Sequence, residues 1–272
     1  MKSSIIESIK SLPPLSKTIF DINKVVQDKR AGVNELAKVI ENDPMIVANL
    51  LKVANSPLYG FGEEIHSVVQ AVTLFGMNMT RSLALGNGLK KLLNVDMQPY
   101  GITSEKFAEI SLLQATLIMR WYSQVDEQKA ENLYLAALLQ ETGKILIASD
   151  VIQEDEAISF ASEIEMTNNI AQVEKAYVDV TSAEVTAAVF EHWGFERKFI
   201  EMIRFSDAPQ SAPRSIYEPA MALHIVKTAL PVNKPFSEIA INFALRKARD
   251  AGYDHEILED VIDDMLELME QN

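Results

Sequence analysis

Apolar residues recur at the spacing of an α-helix along almost the whole chain, and no long stretch alternates apolar and polar residues as strands do. The segment after Asp43-Pro44 is an example. Its apolar stripe consists of Ile46, Val47, Leu50, Leu51 and Ala54. A helix that buries one such stripe must pack against other helices. The sequence therefore predicts an all-α protein, a multi-helix bundle.

Helix start and stop signals fall between the apolar stripes. Asp43-Pro44 supplies an N-cap and a proline for the first helical turn. Ser67 and Gln70 have the spacing of a capping box, and Gly76 can end the helix that follows. These signals predict a helix from residue 44 and another from residue 68.

Similar signals predict the helices of the remaining chain. Thr103 or Ser104 can begin a long helix, and Pro219 can begin one that continues to Ala229. We expect a further helix from Phe236 to Ala251, and Asp254 can cap the last one. Breaks are predicted at 94–101 and 207–215, where proline and polar residues gather.

The charge of the chain argues against nucleic acid as a partner. The formal net charge is -14, and nine of the acidic residues lie between Asp250 and Asn272 with no Lys or Arg among them. Phosphate backbones are bound largely by Lys and Arg, so such a field repels them. The acidic C-terminal segment is interpreted as a solvated helix face, with docking to a basic partner as the alternative.

Composition also limits the cellular context. No run of about 18 apolar residues without charges is present, so membrane insertion is not expected. The first residues, MKSSIIESIKSLPP, lack the pattern of a secretory signal. The chain contains no cysteine, which excludes disulfides and thiolate chemistry. We expect a cytoplasmic protein.

The segment LLQETGKIL, residues 138–146, places polar residues at the end of an apolar run. Gln140 and Glu141 follow directly after residues that are built to be buried, and buried polar groups are costly unless they find partners. Gly143-Lys144 is not a phosphate-binding loop, because that motif requires glycine where Leu138 stands. Gln140 and Glu141 are therefore candidate site residues.

Histidines are too few and too scattered for a metal cluster in helices. The four histidines are His66, His192, His224 and His255. No HExxH motif and no i, i+4 histidine pair occurs among them. No metal and no other cofactor is expected. We interpret His192 as a partner of a helix end or of its neighbours.

Three stretches together resemble the N-terminal half of HDOD domains. They are LPPLSKTIFDINKVV (12–26), NELAKVIENDPMIVANLLKVANSPLYG (34–60) and IHSVVQAVTLFGMNMTRSLAL (65–85). The resemblance continues through LYLAALLQETGKILIA and AEVTAAVFEHWGFERKFIEMIRFSDAP, to about residue 210. It implies an all-helical bacterial regulatory domain of signalling pathways, related to the HD phosphohydrolases.

The resemblance also implies that the metal ligands of the catalytic relatives have been replaced. Catalytic HD proteins typically read LLHDIGK where this chain has Gln140 and Glu141. Other family histidines correspond approximately to Ile110, to Ser182 and to Ser206-Asp207. Only Glu141 and Asp207 keep a carboxylate among these positions, so catalysis is not expected.

Two interpretations of the altered cleft stay open. In the first, Glu141 pairs with a residue such as Lys144, and Gln140 bonds to carbonyl groups at the helix end. In the second, Gln140, Glu141 and Asp207 bind a small ligand or a partner side chain. Thr186, where many HDOD sequences have glycine, is expected to alter helix packing nearby.

The segment NSPLYG, residues 55–60, is the second candidate for a binding region. Pro57 and Gly60 indicate a turn, in which Asn55 can bond to neighbouring backbone. Leu58, Tyr59 and Phe61 would offer apolar contacts to a partner protein.

These observations predict a noncatalytic signalling protein that acts as an interaction scaffold, with other signalling proteins as partners. A sensor of nucleotides or cyclic dinucleotides is the alternative, and a metal-dependent phosphohydrolase is a weaker one. The expected organisation is a lead-in at 1–11, an HDOD domain at 12–210 and a helical extension at 211–272. Within the domain we expect an N-terminal half at 12–98 and an HD-like half at 99–210.

Overall fold

The computed structural model describes residues 1–92 and 96–270, with side chains described outside 87–92, and this part of the chain is α-helical without a strand. The all-α prediction is thereby confirmed. The α-helices are α1 (Ser3–Ser11), α2 (Lys17–Gln27), α3 (Val33–Ile40), α4 (Pro44–Ala54), α5 (Val68–Leu92), α6 (Ser104–Tyr122), α7 (Glu127–Leu139), α8 (Gly143–Gln153), α9 (Ala157–Met166), α10 (Ile170–Val178), α11 (Ser182–His192), α12 (Arg197–Arg204), α13 (Arg214–Ala229), α14 (Glu238–Asp250) and α15 (His255–Glu270). Short 3-10 helices lie at Gln98–Tyr100 and Pro209–Ser211.

Side-chain caps fix several helix starts at the predicted positions. Asp43 accepts from the backbone N–H groups of Met45 and Ile46, with Pro44 in the first turn of α4. Ser67 and Gln70 form the predicted reciprocal bonds, because each side chain binds the other residue's backbone N–H. Thr103 caps α6 through the backbone N–H of Lys106. Each cap satisfies an N–H that the helix itself leaves unpaired.

Gly76 interrupts α5 as the sequence predicts. Its φ of 74° is non-helical and divides the element into two helical parts. A φ in this range is readily adopted only by glycine. Residues 94 and 95 of the predicted break at 94–101 lie outside the described residues, and Gln98–Tyr100 forms a buried 3-10 turn.

Two predicted helix starts were wrong. Helix α13 begins at Arg214 rather than Pro219, because the Pro213 carbonyl accepts the first N–H bonds and Pro219 is accommodated inside the helix. Helix α14 begins at Glu238 rather than Phe236. Phe236 has a φ of 54°, and Ser237 caps the helix through the N–H of Ala240.

Contacts between residues divide the chain into two units. The first consists of residues 1–12 and 93–261, and the second of residues 13–92 together with the chain from 262. In the second unit, α2, α3 and α4 pack against α5. None of the helices in the described residues combines the length and the apolar composition that a membrane crossing requires.

The first unit is built around the pair α6 and α7, with α8, α11, α12, α13 and α14 packed in succession. Its largest buried side chains include Trp121, Tyr122, Tyr134 and Phe190. Helix α1 belongs to this unit and packs against α8 and α11. The exposed His192 ring contacts the Leu12 carbonyl oxygen at 3.3 Å, near the end of α1.

The start of α8 approaches α11 unusually closely, and Gly143 permits this. A Cβ atom at residue 143 would lie 2.2 Å from the Ser182 carbonyl oxygen and 2.8 Å from the Thr186 backbone nitrogen. The Gly143 N–H donates to Thr186 Oγ1 at 2.7 Å. That hydroxyl lies within donating distance of the Ser182 and Gln140 carbonyl oxygens, at 2.7 and 3.0 Å. Thr186 thus ties α11 to the turn between α7 and α8.

We expect Gly143→Ala to lower the free energy of unfolding by about 3 kcal/mol, because the added methyl group meets backbone atoms that cannot move alone. Urea unfolding measures this change through the transition midpoint. Gly32→Ala is the matched control, because its Cβ would lie 3.4 Å from the flexible end of Glu35. Equal midpoints for the two variants would contradict the close approach of α8 and α11.

Candidate functional site

Gln140 and Glu141 lie at the end of α7, inside the first unit. Gln140 is 0% exposed to solvent and Glu141 is 3% exposed. Gln140 is the C-cap of α7, and Thr142 and Gly143 lead directly into α8. The chain thus turns between two helices without reaching the surface, and its polar side chains must find partners within the protein.

Gln140 pairs with an amide that the sequence did not indicate. Its Nε2 donates to Gln114 Oε1 on α6 at 2.9 Å. Gln114 Nε2 in turn donates to the Leu230 carbonyl oxygen at 2.9 Å and lies 3.4 Å from Glu141 Oε1. The α6 side chain that reaches Glu141 is therefore Gln114. Ile110, one helical turn earlier, is buried in the apolar core.

Lys144 places a buried ammonium group beside Glu141. Its Nζ lies 3.2 Å from Glu141 Oε2, an ion pair that one interpretation of the sequence anticipated. The same Nζ donates to Glu174 Oε1 on α10 at 2.6 Å and to Ser182 Oγ on α11 at 2.9 Å. Lys144 therefore joins three helices.

A second ammonium group, from Lys227 on α13, lies on the other side of Glu141. Its Nζ donates to Asp207 Oδ1 at 2.6 Å and lies 3.8 Å from Glu141 Oε2. Glu141 is thus shared between two lysines. Below we call Glu141, Glu174, Asp207, Lys144 and Lys227 the ionic network. It carries a net charge of -1 when all five groups are ionised.

The lysines stay charged although Lys144 is buried and Lys227 is largely covered. Burial lowers the pKa of Lys144, but Glu141 and Glu174 outweigh it and leave the pKa above its ordinary value. Burial likewise lowers the pKa of Lys227, and Asp207 and Glu141 raise it further than burial lowers it. Opposite charges at these distances stabilise the ionised form more strongly than in water.

Asp207 is held as a carboxylate by the same lysines. Burial raises its pKa, but Lys227 and Lys144 together bring it well below the ordinary range. The sequence predicted Gln140, Glu141 and Asp207 as candidate site residues. Glu141 and Asp207 belong to the ionic network, and Gln140 lies next to it. Gln140 reaches it through Gln114 rather than through a carbonyl group at the helix end.

Glu174 is fixed from three directions. The Tyr100 hydroxyl donates to its Oε1 at 3.0 Å, and the Ser182 N–H donates to its Oε2 at 2.6 Å. Lys144 supplies the third bond. Burial, together with the charge and hydrogen bond of Glu174, raises the pKa of Tyr100 well above its usual value. Tyr100 therefore remains a neutral hydrogen-bond donor.

His224 lies next to the network in a defined tautomer. Its Nε2 is 2.7 Å from Lys247 Nζ, and its Nδ1 is 2.7 Å from the Ser206 carbonyl oxygen. An ammonium group only donates, so Nε2 accepts and Nδ1 carries the proton. Burial and the Lys247 charge lower the pKa of His224 to about 4. The imidazole is therefore neutral at physiological pH.

Several buried oxygens in this region lack a hydrogen-bond partner among the described residues. They are Gln140 Oε1, Glu141 Oε2, Ser206 Oγ and Asp207 Oδ2. Glu141 Oε2 is compensated by charge, because it lies between the two ammonium groups. Glu141 thus bridges two cations, here two lysine ammonium groups.

The residues present do not fit a catalytic metal centre. Among the side chains described, those of residues 1–86 and 96–270, no three His, Cys, Asp or Glu groups are arranged to hold a metal ion. The places beside Glu141 are taken by ammonium groups, which repel a further cation. The nearby His224 uses both ring nitrogens for other bonds.

The second candidate region, around NSPLYG, lies in the second unit. Leu58 is only 8% exposed, so it contributes to the core rather than to the predicted partner surface. Tyr59 and Phe61 are partly exposed and pack against Phe75, with ring centroids 5.0 and 5.2 Å away. As predicted, Asn55 bonds to backbone, here both the N–H and the carbonyl of Ile65.

The sequence matches the HDOD domain family over residues 12–209. A protein of Treponema pallidum is 22% identical over 229 residues, which is 82% of this chain. The chain spans only 42% of the length of that curated relative.

Solved structures have the same fold. An HDOD domain protein from Geobacter sulfurreducens superimposes with a TM-score of 0.75 at 17% identity, over 97% of this chain and 93% of that one. A Shewanella amazonensis protein, named provisionally as a phosphohydrolase, gives 0.73 at 19% identity over 98% and 94%. A Marinobacter aquaeolei protein, named provisionally for signal transduction, gives 0.70 at 21% identity over 100% and 61%.

Proposed function

Because the chain belongs to the HDOD domain family, we propose that it is a noncatalytic regulatory protein of bacterial signal transduction, which acts in the cytoplasm as an interaction scaffold. The observation that carries this proposal is the ionic network. Two lysine ammonium groups form ion pairs with the carboxylates that a metal-dependent hydrolase would need for its cations.

The chemistry of the network supports a structural rather than a catalytic role. A hydrolase of the metal-dependent kind uses its metal to activate water and to polarise a phosphoryl oxygen. Lys144 and Lys227 cannot activate water, because their raised pKa values keep them protonated, and each of them already donates to a carboxylate of the network. A charged lysine cannot act as a general base.

A nucleophilic alternative is equally disfavoured by geometry. Ser182 Oγ lies 2.9 Å from Lys144 Nζ, a pairing that also occurs in Ser-Lys hydrolases. There the lysine must accept the serine proton. Here it is fully charged between Glu141 and Glu174, and both Ser182 and Lys144 are buried. Ser182 therefore serves as a hydrogen-bonding group.

A scaffold needs a contact surface, and the Tyr59–Phe61 region supports one. Its aromatic rings are partly exposed and are braced by Phe75, so they are held in place before a partner arrives. Preorganised aromatic groups lose little conformational entropy on binding and are enriched at protein contacts. The Marinobacter aquaeolei structure, named provisionally for signal transduction, is consistent with a signalling partner.

The purified protein should contain no stoichiometric iron, manganese or zinc and should not hydrolyse nucleotides or cyclic dinucleotides. Elemental analysis and a phosphate-release assay with added Mn²⁺ measure this, with an active HD phosphohydrolase as the positive control. A bound metal pair together with hydrolysis that Glu141→Gln abolishes would overturn the noncatalytic assignment. A thermal shift with the same nucleotides would instead indicate a sensor.

Phe61→Ser should weaken capture of the native partner at least about tenfold, as expected for an aromatic anchor at an interface. Affinity capture from the source bacterium, quantified by mass spectrometry against wild type, measures the loss. Ile158→Ser is the control, because Ile158 is an exposed apolar residue on α9 in the other unit. Unchanged capture by a folded Phe61→Ser protein would exclude this region as the contact.

A further inference from the structure

Lys144 Nζ lies within a cage of three oxygens. Glu174 Oε1 is 2.6 Å away, Ser182 Oγ 2.9 Å and Glu141 Oε2 3.2 Å. Two of the ammonium N–H groups donate to Glu174 Oε1 and Ser182 Oγ, and Glu141 Oε2 contributes its negative charge as an ion pair. The Tyr100 ring centroid lies 5.2 Å from the same Nζ, within the range of a cation–π contact. Every group in this arrangement favours a positive charge.

The distances from Lys144 Nζ to the three oxygens are those of an ammonium ion and not of a divalent metal. Mg²⁺ and Zn²⁺ bind oxygen at about 2.0 to 2.2 Å, and Ca²⁺ at about 2.3 to 2.6 Å. The distances from the lysine nitrogen extend from 2.6 to 3.2 Å and comprise two charge-assisted hydrogen bonds and one longer ion pair. The cage as it stands therefore holds a primary ammonium ion.

The walls of the cage are held independently of the lysine. Glu174 is bonded to the Tyr100 hydroxyl and to the Ser182 N–H. Gln114 Nε2 lies 3.4 Å from Glu141 Oε1 on the side away from the cage. Glu141 Oε2 is buried, has no hydrogen-bond partner among the described residues and lies nearest to the two ammonium groups. The bonds of Glu174 to Tyr100 and Ser182, and the contact of Glu141 with Gln114, do not involve Lys144, so we expect them to remain when its side chain is shortened.

We propose that Glu141, Glu174, Ser182 and Tyr100 form a binding site for a primary ammonium ion, which the chain fills permanently with its own Lys144. The site takes small alkylammonium ions when the lysine side chain is removed. This inference deepens the proposed function and rests on it, because it assumes the noncatalytic role. A cage that Lys144 fills has no room for a catalytic metal ion.

Chemical rescue tests the proposal directly. Lys144→Ala removes three carbons and the amine, which together correspond to propylammonium. We expect the variant to melt about 10 °C below wild type, because breaking a buried ion pair is strongly destabilising. Refolding it in propylammonium chloride should recover most of that loss. Sodium chloride of equal ionic strength and neutral propanol should not.

Lys144→Met is the matched control, because methionine fills the cage with an uncharged chain of similar length. Propylammonium should not stabilise it or the wild type. Rescue of Lys144→Ala by propanol or sodium chloride to the same extent as by propylammonium would overturn the proposal, and so would the absence of any rescue. Neither result would alter the metal content of the wild-type protein, so failure here is distinct from failure of the proposed function.

A second variant keeps the test decisive if the alanine protein folds poorly. The chain contains no cysteine, so Lys144→Cys introduces a unique thiol. Its thiolate displaces bromide from 2-bromoethylamine in the unfolded state and forms a side chain that ends in an ammonium group. After refolding, this derivative should melt near wild type, and the neutral product of iodoacetamide should melt about 10 °C lower. Equal melting temperatures would show that no cation is required.

Discussion

The ion pairs around Glu141 are the interaction on which the arrangement of the first unit depends. Glu141 follows α7, Glu174 lies on α10, Asp207 follows α12, and the two lysines lie on α8 and α13. A buried charge without a partner is far more costly than a missing apolar contact. The helices are therefore held to one mutual placement, in which each carboxylate meets an ammonium group. A small displacement of α13 would remove Lys227 from both Asp207 and Glu141.

In the proposed noncatalytic role, the network supplies the positive charge that a metal ion supplies in a metal-dependent hydrolase. Carboxylates gathered in the interior of a helical bundle need positive charge, and a metal ion is one source. Lysine ammonium groups are another source of positive charge, and because they are part of the chain they do not have to be bound from solution. They bring no open coordination position and no activated water. We propose that the charge balance of this protein does not depend on a metal ion, because the carboxylates of the network already contact lysine ammonium groups.

Local signals in the sequence predict most of the helices. They do not predict which side chains from distant helices contact each other. The caps at Asp43, Ser67 and Thr103 depend on residues within three positions, which a sequence displays directly. The ion pair of Glu141 with Lys144 is also local, three residues apart. Lys227, Glu174 and Gln114 come from distant helices with no distinguishing local pattern. Only the packed structure brings Lys227 and Gln114 to Glu141, and Glu174 to Lys144. The same limit applies to Leu58, because its burial is a property of the packed structure and not of the turn sequence.

A double-mutant cycle between Lys227 and Asp207 tests most directly whether buried ion pairs organise the site. Urea unfolding at pH 7 is measured for wild type, Lys227→Met, Asp207→Asn and the double variant. We predict a coupling energy of about 2 kcal/mol, because each single variant leaves a largely covered charge without its partner and the double variant removes both charges. Strictly additive losses would contradict it, since the two groups would then contribute to stability independently of each other.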